Sequence, residues 1–155
     1  MDDWVLRALK RWPNVPALFG CLGLDRRGRW LIQGGTITHP RVVETINRNY
    51  AADEHGRWYF QNGPQRVFVA LAYTPLVMHY QGDRLFDHCG RPAEALETLL
   101  DDEGSVLIRG EHGIGLLDDR DLGRYADIGD NLPRIARSDV AVRFGYVQNP
   151  ADSLR

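Results

Sequence analysis

Arg57-Trp58-Tyr59-Phe60-Gln61-Asn62-Gly63-Pro64-Gln65-Arg66-Val67-Phe68-Val69-Ala70-Leu71-Ala72-Tyr73 reads as strand, tight turn, strand. Asn62-Gly63-Pro64 supplies the turn, because glycine reaches positive φ and proline presets its own. In the second strand Val67, Val69 and Leu71 alternate with Phe68, Ala70 and Ala72, so both faces are apolar. A strand of that kind is covered on both sides and lies in the middle of its sheet.

Working outward, the spacing of Trp4, Leu6, Ala8, Leu9 and Trp12 predicts a short helix over residues 3–12, with Asp2 and Asp3 at its cap and Pro13 and Pro16 stopping it. Leu22 to Asp25 and Trp30 to Gln33 flank Arg26-Arg27-Gly28-Arg29, a hairpin with Gly28 at the positive-φ position. After Gly34-Gly35 a helix is expected from Pro40 to Ala52, capped by Thr36 or Thr38, with Val42, Val43, Ile46 and Tyr50 as its apolar stripe. Asp53-Glu54-His55-Gly56 turns the chain into the opening strand.

Downstream, Pro75 reads as a joint. Leu76 to Gln81 and Arg84 to His88 form a hairpin about Gly82-Asp83, and Pro92 opens an expected helix with Leu96, Leu99 and Leu100 inward, ended by Gly104. Ser105 to Arg109 and Gly113 to Leu117 read as strands, Asp118 to Ala126 as a short helix and Val140 to Val147 as a closing strand, with a frayed tail after Pro150. No internal repeat is read. The expectation is an α+β protein of two small, closely packed domains, residues 1–74 (helix-hairpin-helix-hairpin) and 75–155 (β-rich).

Composition agrees. The 155 residues are 43% hydrophobic and 26% charged with net charge -2, values of a globular chain without a basic field for coating nucleic acid. No apolar run reaches the ~18 residues of a membrane helix, and the N-terminus lacks the uninterrupted apolar core of a signal peptide. A cytoplasmic location is expected, with Cys21 and Cys89 unpaired as in a reducing compartment. The 18 arginines against the single Lys10 are spread along the whole chain.

The element order and several short motifs resemble an uncharacterised bacterial family, domain of unknown function 1285. The matching residues are Gly28-Arg29-Trp30; Gly34-Gly35-Thr36-Ile37 followed by Pro40, Arg41 and Val43; His55-Gly56-Arg57-Trp58-Tyr59; Pro64-Gln65-Arg66-Val67; and Val106-Leu107-Ile108-Arg109-Gly110. Gln65 stands where the family has an acid, and Tyr73-Thr74-Pro75-Leu76 replaces its acidic turn, so a binding role of those acids does not transfer. The resemblance implies two small α+β domains packed together and a signalling or regulatory role. It brings no catalytic residues.

Among local constellations, Gly34 to Arg41 is the best anion candidate. Gly35, Thr38, His39 and Arg41 combine a glycine pair, a hydroxyl, a helix start and a guanidinium. Gly110-Glu111-His112-Gly113-Ile114-Gly115 is similar to a string near the C-terminus of large FAD-linked oxidases, but those carry a separate flavin domain for which this chain has no room. A hairpin tip with Glu111 and His112 exposed is the reading kept, because turns select glycine. The five histidines lack the spacing of a zinc site, and no nucleophile elbow or phosphate loop is present. Trp30, Trp58, Tyr59 and Phe60 read as core, not as a base-stacking platform.

The function expected is a non-catalytic binding or regulatory module without cofactor, metal, nucleic acid or membrane. It would take a small anionic ligand in a groove between the domains, or a protein partner. Candidate binding residues are Gly35, Thr38, His39, Arg41, Arg109, Glu111 and His112. Two alternatives stay open: a small enzyme using Arg41, Arg109, Glu111 and His112 at the domain junction, and a homodimeric interaction scaffold.

Overall fold

A computed structural model describes residues 3–154. The helices are α1 (Asp3–Lys10), α2 (Pro40–Arg48) and α3 (Val140–Phe144). The strands are β1 (Ala17–Leu24), β2 (Trp30–Ile32), β3 (Gly35–Thr36), β4 (Tyr50–Ala52), β5 (Trp58–Asn62), β6 (Gln65–Leu71), β7 (Leu76–Gln81), β8 (Arg84–Asp87), β9 (Pro92–Ala93), β10 (Glu97–Asp101), β11 (Val106–Gly110), β12 (Gly113–Leu117) and β13 (Arg134–Ile135). This is an α+β fold with two sheets. A boundary at Thr74-Pro75 was expected; the chain passes from one compact unit to the other between Ala72 and Tyr73, and from Tyr146 it returns to the first. The tip residues Arg26–Gly28 group with the second unit.

In the first unit the strand order is β3-β2-β1-β6-β5-β4, so β6 occupies the central place its two apolar faces require. Two three-strand meanders meet with β6 parallel to β1. α2 joins the two sheet edges. Trp30 Nε1 donates to Asn47 Oδ1 of α2 at 2.7 Å, and Ile46 is buried beneath the helix. Trp30, Tyr50 and Trp58 pack ring against ring in the core, at centroid distances of 4.9 and 4.8 Å.

The second unit repeats this plan. Its order is β13-β10-β11-β12-β7-β8-β9, and without β13 it is again two meanders, with β12 parallel to β7. Only Glu94, Ala95 and Leu96 link β9 to β10. In a flat sheet five interstrand spacings, about 24 Å, would separate those strands, whereas four residue steps reach at most ~14 Å. The sheet is therefore strongly curled. An added Cβ on Gly110 would stand 3.3 Å from the Glu94 carbonyl oxygen, and one on Gly115 2.7 Å from Met78 Cγ. Close approach within the curled sheet thus accounts for two of the glycines in the flavin-like string.

One turn recurs four times: Asp25–Arg29, Asp53–Arg57, Asp87–Arg91 and Asp101–Ser105, each Asp-x-x-Gly followed by Arg or Ser. The glycines take φ of 80°, 76°, 87° and 83°, the left-handed position of a three-residue hairpin loop. In each, the aspartate amide donates to the backbone oxygen of the residue four positions on. Its carboxylate in turn accepts the amide of that residue at 2.8 to 3.1 Å. In the first three turns the arginine Nε also bonds the second carboxylate oxygen, at 2.7 to 2.8 Å. Both the duplicated plan and the recurring turn correct the reading that the chain has no internal repeat.

Other expectations are corrected. The helix from Pro92 is the strand pair β9 and β10. Leu96, meant to face inward, is 49% exposed, while Leu99 and Asp101 are buried, a period of two. The supposed helix end at Asp101 to Gly104 is the fourth turn. The closing strand is α3: Val140 is buried but Val142 is 86% exposed, and Gly145 caps the helix at φ 69°. α2 stops at Arg48, and Tyr50 pairs with Phe60 as β4. A third strand, β3, follows the first hairpin. Residues 119–125 form a 3-10 helix, and the tail after Pro150 is a 3-10 turn with Pro150 itself buried. The cap expected of Asp2 falls outside the described residues.

Candidate functional site: a cleft beside the second helix

α2 begins at Pro40 as expected, but its cap is neither Thr36 nor Thr38. His39 is the N-cap residue, and its Nδ1 accepts the Arg41 amide at 3.2 Å; Pro40 follows in the first helical turn. Thr45 Oγ1 donates to the Arg41 carbonyl at 2.8 Å. The helix start offers a ligand the Arg41 side chain, since its amide is already taken. That guanidinium has no carboxylate partner among the described residues. No acid stands in the first turn, where the helix dipole disfavours a cation. Arg41 is exposed, so water solvates its guanidinium and no carboxylate among the described residues competes with a ligand for it.

Beside Arg41 opens a cleft of about 230 Å³ within the first unit. Ile32, Ile46 and Phe60, all buried, line it together with Leu9, Trp12 and Val42, and Thr45 and Asn62 add polar groups. Trp12 Nε1 is buried and has no hydrogen-bond partner, as is Arg91 Nη2 in the other unit. A buried donor left unpaired costs about 1–3 kcal/mol. The Asn62 side-chain amide has no partner among the described residues. The composition of the lining, apolar with a few polar groups and one cation, is that of small-molecule sites.

The expected site residues fall into two groups. Gly35 lies in β3, paired with Ile32, while Thr38, His39 and Arg41 follow at the start of α2, all in the first unit. Arg109, Glu111 and His112 belong to the second. Arg109 Nε is 3.4 Å from Glu97 Oε1 across the β10–β11 pair. Glu111 and His112 form the exposed β11–β12 tip. Glu111 accepts the Glu94 amide at 3.2 Å, and backbone donors, first its own amide and then that of Glu94, lower its pKa. His88 Nδ1 accepts the Val77 amide at 3.1 Å. Its neighbour Cys89 has its thiol pushed up to about 12, chiefly by burial and then by Asp87, so the thiol stays protonated at neutral pH. Among the described residues no group of three or more His, Cys, Asp or Glu is placed to hold a metal, and no helix is long and apolar enough to cross a membrane.

Sequence reasoning missed Trp12 and Asn62. Trp12 reads only as the end of an apolar helical face and Asn62 only as a turn residue. Nothing in a linear pattern shows that α1, α2 and β5 bring them together. The paired meanders place the chain among α+β proteins whose fold is already known. The crystal structure of a DUF1285 family protein from Silicibacter pomeroyi DSS-3, at 2.50 Å resolution, matches with TM-score 0.56 at 18% identity, over 83% of this chain and 85% of that one. A DUF1285 family protein from Shewanella baltica OS155, at 1.40 Å, matches with TM-score 0.54 at 14% identity, over 69% and 91%. The chain itself belongs to the family DUF2944, whose model, described as "Protein of unknown function (DUF2946)", matches residues 1–151. No curated protein matches it.

Proposed function

We propose that this protein is a cytoplasmic, non-catalytic binding module whose ligand site is the cleft beside α2. The observation that carries the reading is the cleft itself: apolar walls, the Asn62 side chain and the Arg41 side chain, which has no partner among the described residues, line one space of about 230 Å³. Three of the other six candidate residues support it by having structural work already: His39 caps α2, Arg109 pairs with Glu97, and Glu111 closes on the Glu94 amide.

The test is thermal denaturation against a panel of small organic acids and neutral fragments, on the wild type and on Val42→Phe. Val42 lines the cleft from the helix at a half-buried position, so the larger ring fills the space without entering the core. The expected result is that at least one acid raises the Tm by a few degrees and that Val42→Phe, folded with a Tm close to wild type, loses that rise. A panel without effect, or a rise undiminished in the variant, overturns the reading.

A further inference from the structure

Resting on the cleft as a ligand site, we infer that its ligand is a medium-length aliphatic monocarboxylate, its hydrocarbon chain on Ile32, Ile46 and Phe60 and its carboxylate at Arg41. Three features of the cleft select this class.

The first is size. A cavity of ~150 Å³ admits benzene, so the cleft's 230 Å³ corresponds to roughly nine or ten non-hydrogen atoms at the same packing. That is enough to enclose one small molecule and too little to enclose a nucleotide. The second is charge. Arg41 is the only Lys, Arg or His among the lining residues. One guanidinium balances one negative charge. A second negative charge, as on a phosphate dianion, would find no further cation among the described lining residues. The third is donor geometry. The guanidinium fork matches a planar carboxylate in a bidentate pair. The Asn62 amide lines the same space with donors to spare, and the Trp12 ring forms part of the wall. The remaining lining atoms are apolar or, as with the Thr45 hydroxyl, already bonded, so the rest of the ligand is hydrocarbon.

The experiment titrates the full chain, labelled with nitrogen-15, with octanoate and separately with 1-octanol, following the indole N–H resonances of its tryptophans. Trp12→Phe assigns the Trp12 signal, and triple-resonance spectra assign it if that variant does not fold. Octanoate is expected to shift the Trp12 indole resonance saturably in the millimolar range or below. Arg41→Gln should weaken its binding about tenfold, with 1-octanol weaker than octanoate by a similar factor. Arg48→Gln, on the same helix but paired with Glu44 and outside the cleft, should change nothing. If 1-octanol binds as tightly as octanoate and Arg41→Gln has no effect, the carboxylate class is overturned while the cleft reading stands. If octanoate moves Trp30 or Trp58 and leaves Trp12 unmoved, the assigned site is overturned. If neither compound moves any cleft resonance, this inference fails on its own ligand; the acid panel with Val42→Phe then decides whether the cleft reading falls with it.

Discussion

At the scale of single residues, buried aspartates hold this fold's loops in shape. Asp118 is buried at the start of the 3-10 helix and takes Arg120 twice, Nη2 on Oδ2 at 2.7 Å and Nε on Oδ1 at 3.1 Å. The Arg120 side chain, more than burial, sets its acidity and lowers the carboxyl pKa from 3.8 to about 2. A carboxyl depressed in the folded state stabilises the fold above its unfolded pKa, and that contribution is lost as pH falls through the folded value. Asp118→Asn should therefore lower the Tm at pH 7. The gap to wild type should close as pH falls from 3.8 toward 2. Melting curves across that range check it; a gap constant with pH would mean that shape, not charge, matters at this position. Asp53 follows the same direction: burial opposes ionisation, but the Arg57 amide and side chain and the His55 amide together outweigh it.

At the scale of elements, the informative case is the fourth copy of the aspartate turn. Ser105 stands where the other three have arginine, and Tyr73 Oη donates to Asp101 Oδ2 at 2.8 Å in place of the guanidinium. Asp101 is 1% exposed, so removing that donor leaves a buried acceptor short of a partner. Tyr73→Phe should cost about 1–3 kcal/mol. Ser105→Arg should destabilise the wild type, where Oδ2 is occupied, yet recover part of the loss in the Tyr73→Phe background by restoring the arginine clamp. Urea denaturation of the four proteins gives the coupling directly, and additive effects would refute it. The same turn shows what was legible in the sequence. Gly28, Gly63 and Gly82 marked hairpins correctly because positive φ leaves a residue-type signature. Asp101-Asp102-Glu103-Gly104 was misread because acids before a glycine also end helices, and Leu96, Leu99 and Leu100 mimic a helical stripe. Comparison with the Asp25, Asp53 and Asp87 turns would have separated the two readings. The cleft was half legible: Arg41 and the helix start carry local signals, whereas Trp12 and Asn62 reach it only through packing between distant segments.

At the scale of the whole molecule, the two units share one strand order but are not consecutive stretches of chain, because the last ten residues return to the first unit. Long-range backbone bonds decide this. The Leu71 amide donates to the Gln148 carbonyl at 2.8 Å, the Val147 amide to Gly56 at 2.9 Å, and Gln148 Nε2 to the Ala72 carbonyl at 3.0 Å, while Tyr146 is buried. No periodicity encodes such pairings, which is why the sequence suggested a closing strand for the second half instead. The consequence is a truncation whose damage is distant in sequence. A chain ending at Gly145 loses those three bonds and the burial of Tyr146, about 3–5 kcal/mol together. The loss should fall on the first unit although the cut lies beside the second. In hydrogen exchange the Leu71 amide should lose its protection and Val67 and Val69 should exchange faster, while Leu107 and Ile108 keep wild-type protection. Equal loss in both sets would show that the halves unfold as one cooperative body, and the shared strand order would then describe the fold's construction without dividing its stability.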